Sequence, residues 1–326
     1  MNSDPHMDPT YPADFVASVP HLLGYHPTNS LVLVTTDADT SDMLGAVLRV
    51  VLPSQADEGH AMDELIRIVG SLEAVEASLA VICRPYVDEP PDPLPGAELV
   101  RRLVTALAEL GVVINCQVWA ASTREGAPWC TYDEPGRRGT VPDPNATTAA
   151  AENALAGRVT FDSREQLVDL LATDASPEVL ERRAKLLVAN DLAPVPDEEV
   201  LDAAVERAEQ GDFELTDHDF ATLGTMLSDP LMRDQWVGRC AGDHADAAER
   251  LVLRMVRGLP EPWRAHAAAV YAFAVYLRGE GTLAGIAVGK ALEADPDHCL
   301  ANLLRRALNV GMSPYSLREA LDGALG

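Results

Sequence analysis

The chain is poor in lysine, in aromatic residues and in cysteine. Lys185 and Lys290 are its only lysines, and aromatic residues make up 5% of the composition. Hydrophobic residues nevertheless amount to 47%. The core must therefore consist mainly of Ala, Val and Leu side chains, as in helix-rich cytosolic proteins.

The few cysteines argue against a disulfide framework or a zinc knuckle. They are far apart in the sequence, odd in number and contain no C-x-x-C pair. They are Cys83, Cys116, Cys130, Cys240 and Cys299. A nucleophilic thiolate needs an electropositive setting, which so acidic a chain offers rarely. We therefore interpret Cys83 and Cys130 as buried free cysteines.

Long apolar segments and a basic amino terminus are also missing. No apolar run approaches the roughly 18–20 residues of a transmembrane helix. Residues 1–5, MNSDP, lack the basic residues and the apolar stretch of a secretion signal. We expect a cytoplasmic protein with no membrane partner.

Positive charge is scarce. The 326 residues include 51 acidic and 25 basic side chains, a net charge of −26, and the acid excess is spread over both halves of the chain. Nucleic acids and anionic membranes are bound through concentrated positive charge, so the composition argues against both as partners. The length fits two domains or one large one.

The first half alternates short β-branched segments with helical ones. This rhythm is typical of βαβ units and predicts a mixed, mostly parallel sheet with flanking helices in an α/β domain over residues 1–160. The predicted helices cover 13–23, 59–76 and 97–110. The predicted strands cover 31–36, 46–52, 79–83, 112–120 and 129–132, the first two joined as a hairpin.

Two irregular segments interrupt this domain. Pro85 to Gly96 contains five prolines, which exclude a helix and a central strand. This loop leaves the carboxyl end of the 79–83 strand, where open α/β sheets usually bind ligands. Asp133 to Asn145 is the second irregular segment.

The second half, residues 161–326, shows only helix signals and is predicted to be all-α, with nine or ten helices of 9–16 residues. Helix starts are predicted at Ser176-Pro177, Asp229-Pro230, Asp295-Pro296 and Ser313-Pro314, where an N-cap residue precedes proline. Thr216 and Asp219 form a loose capping box, and Asp243 opens a helix that ends at Gly258.

This half is either a helical bundle or a tetratricopeptide-like domain. Ala284, Val288, Ala291 and Pro296 match the spacing of the second half of one tetratricopeptide unit, with Tyr271 and Ala272 acceptable in its first helix. The match covers a single unit. Because repeats are stable only when stacked, a compact bundle stays the alternative.

Three stretches carry a family resemblance. They are PHLLGYHPTNSLVLV at residues 20–34, LRVVLP at 48–53, and YLRGEGTLA at 276–284, which is followed by Asp295-Pro296 and Leu300. Together they resemble the actinobacterial family known as domain of unknown function 4192, over nearly the whole chain. An acidic residue is expected where this chain has Val51. The resemblance implies no activity, because the family is named for having none assigned.

The opening motif is the main candidate for ligand binding. His21, Gly24, His26, Asn29 and Ser30 lie at a helix-to-strand junction, where backbone NH groups and side-chain donors can converge on a small molecule or a peptide end. The alternative is structural. Gly24 then ends the first helix, and Asn29 and Ser30 are ordinary turn residues.

A second candidate follows the 79–83 strand. The Arg84 guanidinium can bind a carboxylate or phosphate, with Tyr86 beside it. The alternative is an arginine paired with a nearby acid.

Other chemistry is weakly indicated. Asp37, Asp39 and Asp42 lie in the predicted hairpin loop and could hold Mg²⁺ as in a nuclease, although acidic hairpin loops are common for solubility. Residues 242–246, GDHAD, make at most a weak metal site. The phosphate-binding loop, the dinucleotide fingerprint and the nucleophile elbow are absent.

We therefore expect a non-catalytic interaction or scaffold protein, with no cofactor and no bound metal. Its α/β half forms a ligand pocket or a dimer surface, and its helical half faces a protein partner. A homo-oligomer is also expected. The alternative is an enzyme, either a metal-assisted hydrolase using the 37–42 loop or one using His21 and His26.

Overall fold

The computed structural model describes residues 12–37, 44–54, 57–72, 74–84, 90–133, 137–190 and 194–325. The chain divides into two compact units. The first runs to Gln166 and includes Asn309–Ser313, and the second comprises Leu167–Leu308 and the residues from Pro314 on.

The first unit alternates helices and strands as predicted. Its helices are α1 (Pro12–Leu23), α2 (Glu58–Ser71), α3 (Ala97–Glu109) and α4 (Thr148–Leu155), and a 3₁₀ turn spans Pro144–Ala146. Its strands are β1 (Ser30–Asp37), β2 (Leu44–Val51), β3 (Ala74–Ile82), β4 (Val113–Ala120), β5 (Pro128–Thr131) and β6 (Arg138–Thr140).

The strands form one sheet in the order β2-β1-β3-β4-β5-β6. Among the described residues only β3 and β4 pair in parallel, and the other four pairings are antiparallel. The prediction of a mostly parallel sheet is therefore wrong, and the sheet is mixed. The helices α2 and α3 do give β2, β3 and β4 the same direction, but β1 folds back along β2 in the predicted hairpin and lies between β2 and β3.

Both faces of the sheet are buried. On one face, α2 and α3 pack onto strand residues that include Leu31, Leu33, Leu79, Val81 and Trp119. The alternate residues Val32, Ala80 and Val118 are also fully buried and point to the other face, because successive strand residues point in opposite directions. Helix α1 contacts β4. Burial on both sides explains why these strands read as continuous apolar runs.

Most predicted boundaries agree with the structure to within two residues, but two differ by five residues and one strand was not predicted. Helix α2 ends at Ser71 instead of 76, and β3 begins at Ala74 instead of 79. Pairing with the whole length of β1, out to Asp37, draws these residues into the sheet despite their weak strand propensity. Strand β6 lies in a segment predicted to be irregular. A strand of three residues that forms only by pairing with β5 has no signal in the local sequence, so it was not predicted.

Ten helices follow residue 162 among the described residues, in agreement with the predicted nine or ten. They are α5 (Arg164–Leu170), α6 (Pro177–Asn190), α7 (Glu198–Glu209), α8 (Asp217–Ser228), α9 (Pro230–Ala241), α10 (Ala245–Gly258), α11 (Arg264–Leu277), α12 (Gly281–Ala294), α13 (Cys299–Asn309) and α14 (Pro314–Leu325). Helix α5 is shorter than predicted. Helix α11 is buried along most of its length and packs against α10 and α12.

Most predicted helix starts are confirmed. Helices α6, α9 and α14 begin at the expected prolines, and Thr216 with Asp219 forms the capping box of α8. The start at Asp295-Pro296 is wrong, because those residues form a turn and α13 begins at Cys299.

The start at Asp243 is also wrong. Helix α10 begins at Ala245 and His244 occupies its N-cap position, although the predicted end at Gly258 is confirmed. The tetratricopeptide likeness stays a prediction. Within the residues described here, no helix has the length and apolarity to cross a membrane.

Candidate functional site

The start of β1 and the ends of β3 and β4 meet at one edge of the sheet, called the carboxyl edge below. Ser30 pairs with Ile82, and Ile82 pairs with Ala120. Neighbouring strands lie about 4.8 Å apart. Residues just before β1 and just after β3 and β4 therefore share this edge. It brings together predicted site residues from two separate segments, namely His26, Asn29, Ser30 and Arg84.

His21 is engaged through both ring nitrogens. Its Nε2 lies 2.9 Å from the Pro144 carbonyl oxygen, and its Nδ1 lies 2.8 Å from Thr160 Oγ1. A carbonyl only accepts, so Nε2–H donates to it and the Thr160 hydroxyl donates to Nδ1. Burial lowers the pKa of His21, which keeps the ring neutral. These bonds tie α1 to residues 144–160 and support the structural interpretation of His21.

Gly24 ends helix α1 with a backbone φ of 81°, a conformation that favours glycine. The Phe161 amide donates to the Gly24 carbonyl at 2.8 Å, and the His26 amide donates to the Phe161 carbonyl at 3.0 Å. Asn153 Nδ2 donates to the His21 carbonyl at 2.9 Å. The turn after α1 is therefore fastened along its backbone to residues 153–161.

The His26 ring is held at one nitrogen. Its Nδ1 lies 2.8 Å from the hydroxyl of Thr123, a buried residue just beyond β4. Burial, and next the positive charge of Arg124, lower the pKa of His26, so the half-buried ring is neutral at pH 7. Its Nε2 forms no hydrogen bond with any residue that the structure describes. His26 therefore offers one ring nitrogen to a ligand.

Arg124 adds a positive charge to the segment after β4. Its Nη2 lies 2.9 Å from Asp162 Oδ1, and both side chains are more than half exposed. Exposed ion pairs contribute roughly 0–1 kcal/mol, so an incoming anion can displace Asp162 at little cost.

Ser30 and Asn29 have local structural roles. The buried Ser30 hydroxyl donates to the Thr28 carbonyl at 2.8 Å and accepts from Arg49 Nε at 2.9 Å. Asn29 has a positive φ of 46°, which asparagine tolerates, and its carbonyl accepts from the Leu52 amide at 2.8 Å. The side chain of Asn29 is exposed.

Arg84 follows the end of β3 and its side chain is exposed. It forms no hydrogen bond or ion pair with the rest of the described chain. Tyr86 lies outside the described residues. So do Asp39, Asp42 and the side chain of Asp37, and the predicted Mg²⁺ loop therefore has no observed geometry.

The cysteines are free, and all but Cys299 are buried. This confirms the interpretation of Cys83 and Cys130 as buried free cysteines. Burial raises the pKa of both thiols and raises that of Cys116 to about 12, which disfavours a reactive thiolate. Within the described ranges, no three His, Cys, Asp or Glu side chains are arranged to hold a metal ion.

Several contributors to the edge were not predicted. Thr123 and Arg124 follow β4 just as Arg84 follows β3, and the carboxyl-end rule applied to β4 would have found them. Pro144 and Thr160 have no such signal, because their hydrogen bonds with His21 join residues more than 100 positions apart in the sequence. Asp162 has none either, because its partner Arg124 is 38 positions away.

The fold places this chain in the class of two-unit proteins. One unit is an α/β unit with a mixed sheet, and the other consists of helices. The family model described as Domain of unknown function (DUF4192) matches residues 12–315, and the chain belongs to this family. All three stretches that carried the resemblance fall within the match. No curated protein matches the chain, and no solved structure does.

Proposed function

We propose that this protein is a non-catalytic binding protein whose α/β unit takes a small anionic molecule at the carboxyl edge. The observation that carries the proposal is the exposed guanidinium of Arg84. It has no partner among the described residues and stands at the edge that also holds His26 Nε2. Arginine binds carboxylate and phosphate through paired hydrogen bonds, and this edge of α/β sheets is a frequent ligand site.

A binding role also agrees with the environment of the other candidate residues, which are engaged in hydrogen bonds or buried. His21 has both ring nitrogens occupied, and the Cys83 and Cys130 thiols are buried with raised pKa values. A neutral His26 with one open nitrogen suits a single hydrogen bond to the ligand beside the charge of Arg84 and Arg124. The ligand we expect is a small carboxylate or phosphate compound.

Amide NMR of the full chain tests this proposal, with inorganic phosphate and succinate as the two probes. We expect shifts concentrated at Thr28, Asn29, Arg84 and Thr123. Arg84→Gln should weaken binding about tenfold, the usual size of one lost charge-assisted pair. The probe that binds more tightly identifies the ligand chemistry.

The matched control is Arg101→Gln, which removes an exposed arginine paired with Glu98 on α3. It should leave the affinity for both probes unchanged. Equal weakening by the two substitutions, or no saturable shift with either probe, would contradict the proposal.

The predicted protein partner or homo-oligomer belongs to the same proposal, with the helical unit contacting a protein partner and the α/β unit supplying a dimer surface. Size-exclusion chromatography with light scattering measures the mass in solution. A monomer at all concentrations argues against the homo-oligomer.

The second candidate function is a hydrolase in which His26 acts as general base. The observation that favours it is the neutral ring, oriented by the Thr123 hydroxyl and open at Nε2. Assays with p-nitrophenyl acetate and p-nitrophenyl phosphate test it. His26→Gln should lower turnover at least about 10²-fold, whereas replacing the exposed His218 should not. Absent or unchanged turnover rejects this candidate.

A further inference from the structure

Glu249 on α10 is the one acidic side chain that is buried among the described residues, with 9% exposure. It lies in the helical unit and faces groups from several helices. Arg278 follows α11, and Glu280 precedes α12. Both belong to the YLRGEGTLA stretch, to which the proposed function assigns no role.

One guanidinium serves both carboxylates. Arg278 Nη2 lies 2.7 Å from Glu280 Oε1, and Arg278 Nε lies 3.0 Å from Glu249 Oε2. Buried Arg278 Nε has no hydrogen-bond partner in the described chain, so its contact with Glu249 is an ion pair at an unfavourable angle. The ion pair of Arg278 with Glu249 is therefore weaker than its ion pair with Glu280.

The surroundings of Glu249 favour its neutral form. Burial raises its pKa to about 7, and the positive charge of Arg278 opposes this only in part. Glu280 and Asp246 add to the rise, and Arg250 reduces it. Two neutral groups also face it, the Cys240 thiol of α9 and the Tyr271 hydroxyl of α11, whose own pKa values are raised.

We propose that Glu249 is a proton-binding switch within the packing of α10, α11 and α12, and that its ionised form destabilises the folded helical unit. With Glu249 protonated, Arg278 and Glu280 form a neutral pair. With Glu249 ionised, two carboxylates share one guanidinium, and the charge of the buried Glu249 carboxylate is opposed by a misaligned ion pair.

The direction of the effect follows from proton binding. An unfolded glutamate loses its proton near pH 4.5, whereas folded Glu249 keeps it to about pH 7. The folded state therefore binds more protons between these values, and this group lowers the free energy of unfolding as the pH rises.

The test compares urea unfolding of the full chain with that of Glu249→Gln, which imitates the protonated side chain. The ratio of the two unfolding equilibrium constants, wild type over variant, should rise about 20-fold between pH 5.5 and 7.5 and then level off. Histidines titrate in both proteins, so their contribution cancels in the ratio.

Carboxyl ¹³C NMR of the wild type measures the midpoint of Glu249 directly and does not depend on the variant folding. A midpoint near 7 supports the switch, and one near 4.5 overturns it. Glu280→Gln should lower that midpoint, because Arg278 then serves Glu249 alone. An unchanged midpoint overturns the shared arginine. Glu293→Gln, at an exposed carboxylate of α12, is the matched control and should change neither readout.

Discussion

The two units differ in the polar side chains that they bury. In the described part of the α/β unit the buried polar residues are neutral, namely Ser18, Ser30, Thr35, Ser78, Thr123, Thr131 and Asn153. The described part of the helical unit buries Thr225 and two ionisable residues, Glu249 and His298. Neutral hydroxyl and amide groups hold one geometry at every pH, whereas buried ionisable groups make packing depend on pH.

The carboxyl edge of the α/β unit is held by neutral hydrogen-bonding groups, whereas the helices of the helical unit pack around groups that can gain or lose a proton. In the α/β unit, hydrogen bonds to neutral partners fasten the turn after α1 and leave His26 Nε2 and Arg84 at the carboxyl edge. In the helical unit, two ionisable side chains are buried, and the ion pair of one of them, Glu249, with Arg278 is misaligned. We therefore expect ligand binding in the first unit and the larger pH sensitivity in the second, with a smaller one in the first from the partly buried His21 and His26.

The largest expected effect concerns the fastening of α1. His21→Ala removes two hydrogen bonds between α1 and residues 144–160. It leaves the Thr160 hydroxyl without the ring nitrogen that accepts from it, whereas the Pro144 carbonyl still accepts from the Thr147 hydroxyl at 2.8 Å. The free energy of unfolding should fall by about 2–4 kcal/mol. Urea unfolding measures it, with His60→Ala, at an exposed position of α2, as the control expected to cost under about 0.5 kcal/mol. Equal small losses would mean that His21 does not hold the turn.

The next effect tests pH sensitivity in the helical unit. His298 Nδ1 accepts from the Ala301 amide at 3.3 Å, so Nε2–H donates to His266 Nδ1 at 3.0 Å. Burial, and next the neighbouring His266, lower the pKa of His298 to about 4. The unfolded chain binds this proton below about pH 6.5, so stability should fall by up to about 1.4 kcal/mol per pH unit from pH 6.5 to 4.

Thermal unfolding at several pH values measures this dependence. His298→Gln should flatten the acid limb of the profile even if it lowers the melting temperature at every pH. His218→Gln, at an exposed position of α8, should leave the slope as in the wild type. A wild-type profile without an acid limb would contradict the assignment of His298 as a buried neutral base.

The smallest effect concerns ion pairs. Arg124→Gln should change the free energy of unfolding by less than about 0.5 kcal/mol, because the pair with Asp162 is exposed. Arg183→Gln should cost about 1–3 kcal/mol, since Arg183 is 11% exposed and bonds Asp217 and the Gly258 carbonyl. Urea unfolding of both variants measures the two losses in the free energy of unfolding. Equal losses would mean that burial does not determine how much an ion pair contributes.

Local signals in the sequence predicted most elements of both units. Helix α1, the β1–β2 hairpin, helix α3 and the proline-led starts of α6, α9 and α14 depend on caps, turns and periodicity within a few residues. The same locality explains the error at α13. There His298 accepts from the Ala301 amide, whereas Asp295 belongs to the preceding turn.

The candidate site was predictable only in part. His26 and Arg84 were chosen from a turn motif and a strand end, and both lie at the carboxyl edge. Thr123 was not chosen, although it follows β4 and the carboxyl-end rule would have found it. Asp162 could not be chosen, because its contact with Arg124 depends on how the 153–162 segment packs against the residues after β4. Predicted ligand binding at these residues stays a proposal.

Composition, caps and hydrophobic period were enough to specify an acidic chain with an α/β half and a helical half. They did not specify which strands are neighbours in the sheet. The same alternation of strands and helices fits a parallel sheet, and only the position of β1 between β2 and β3 makes this sheet mixed. The burial of Glu249 beside Arg278, 29 residues further along the chain, likewise arises from packing. Caps, turns and hydrophobic periods depend on residues close together in the sequence. The order of the strands and the burial of a charged group instead depend on which distant segments pack against each other and exclude water.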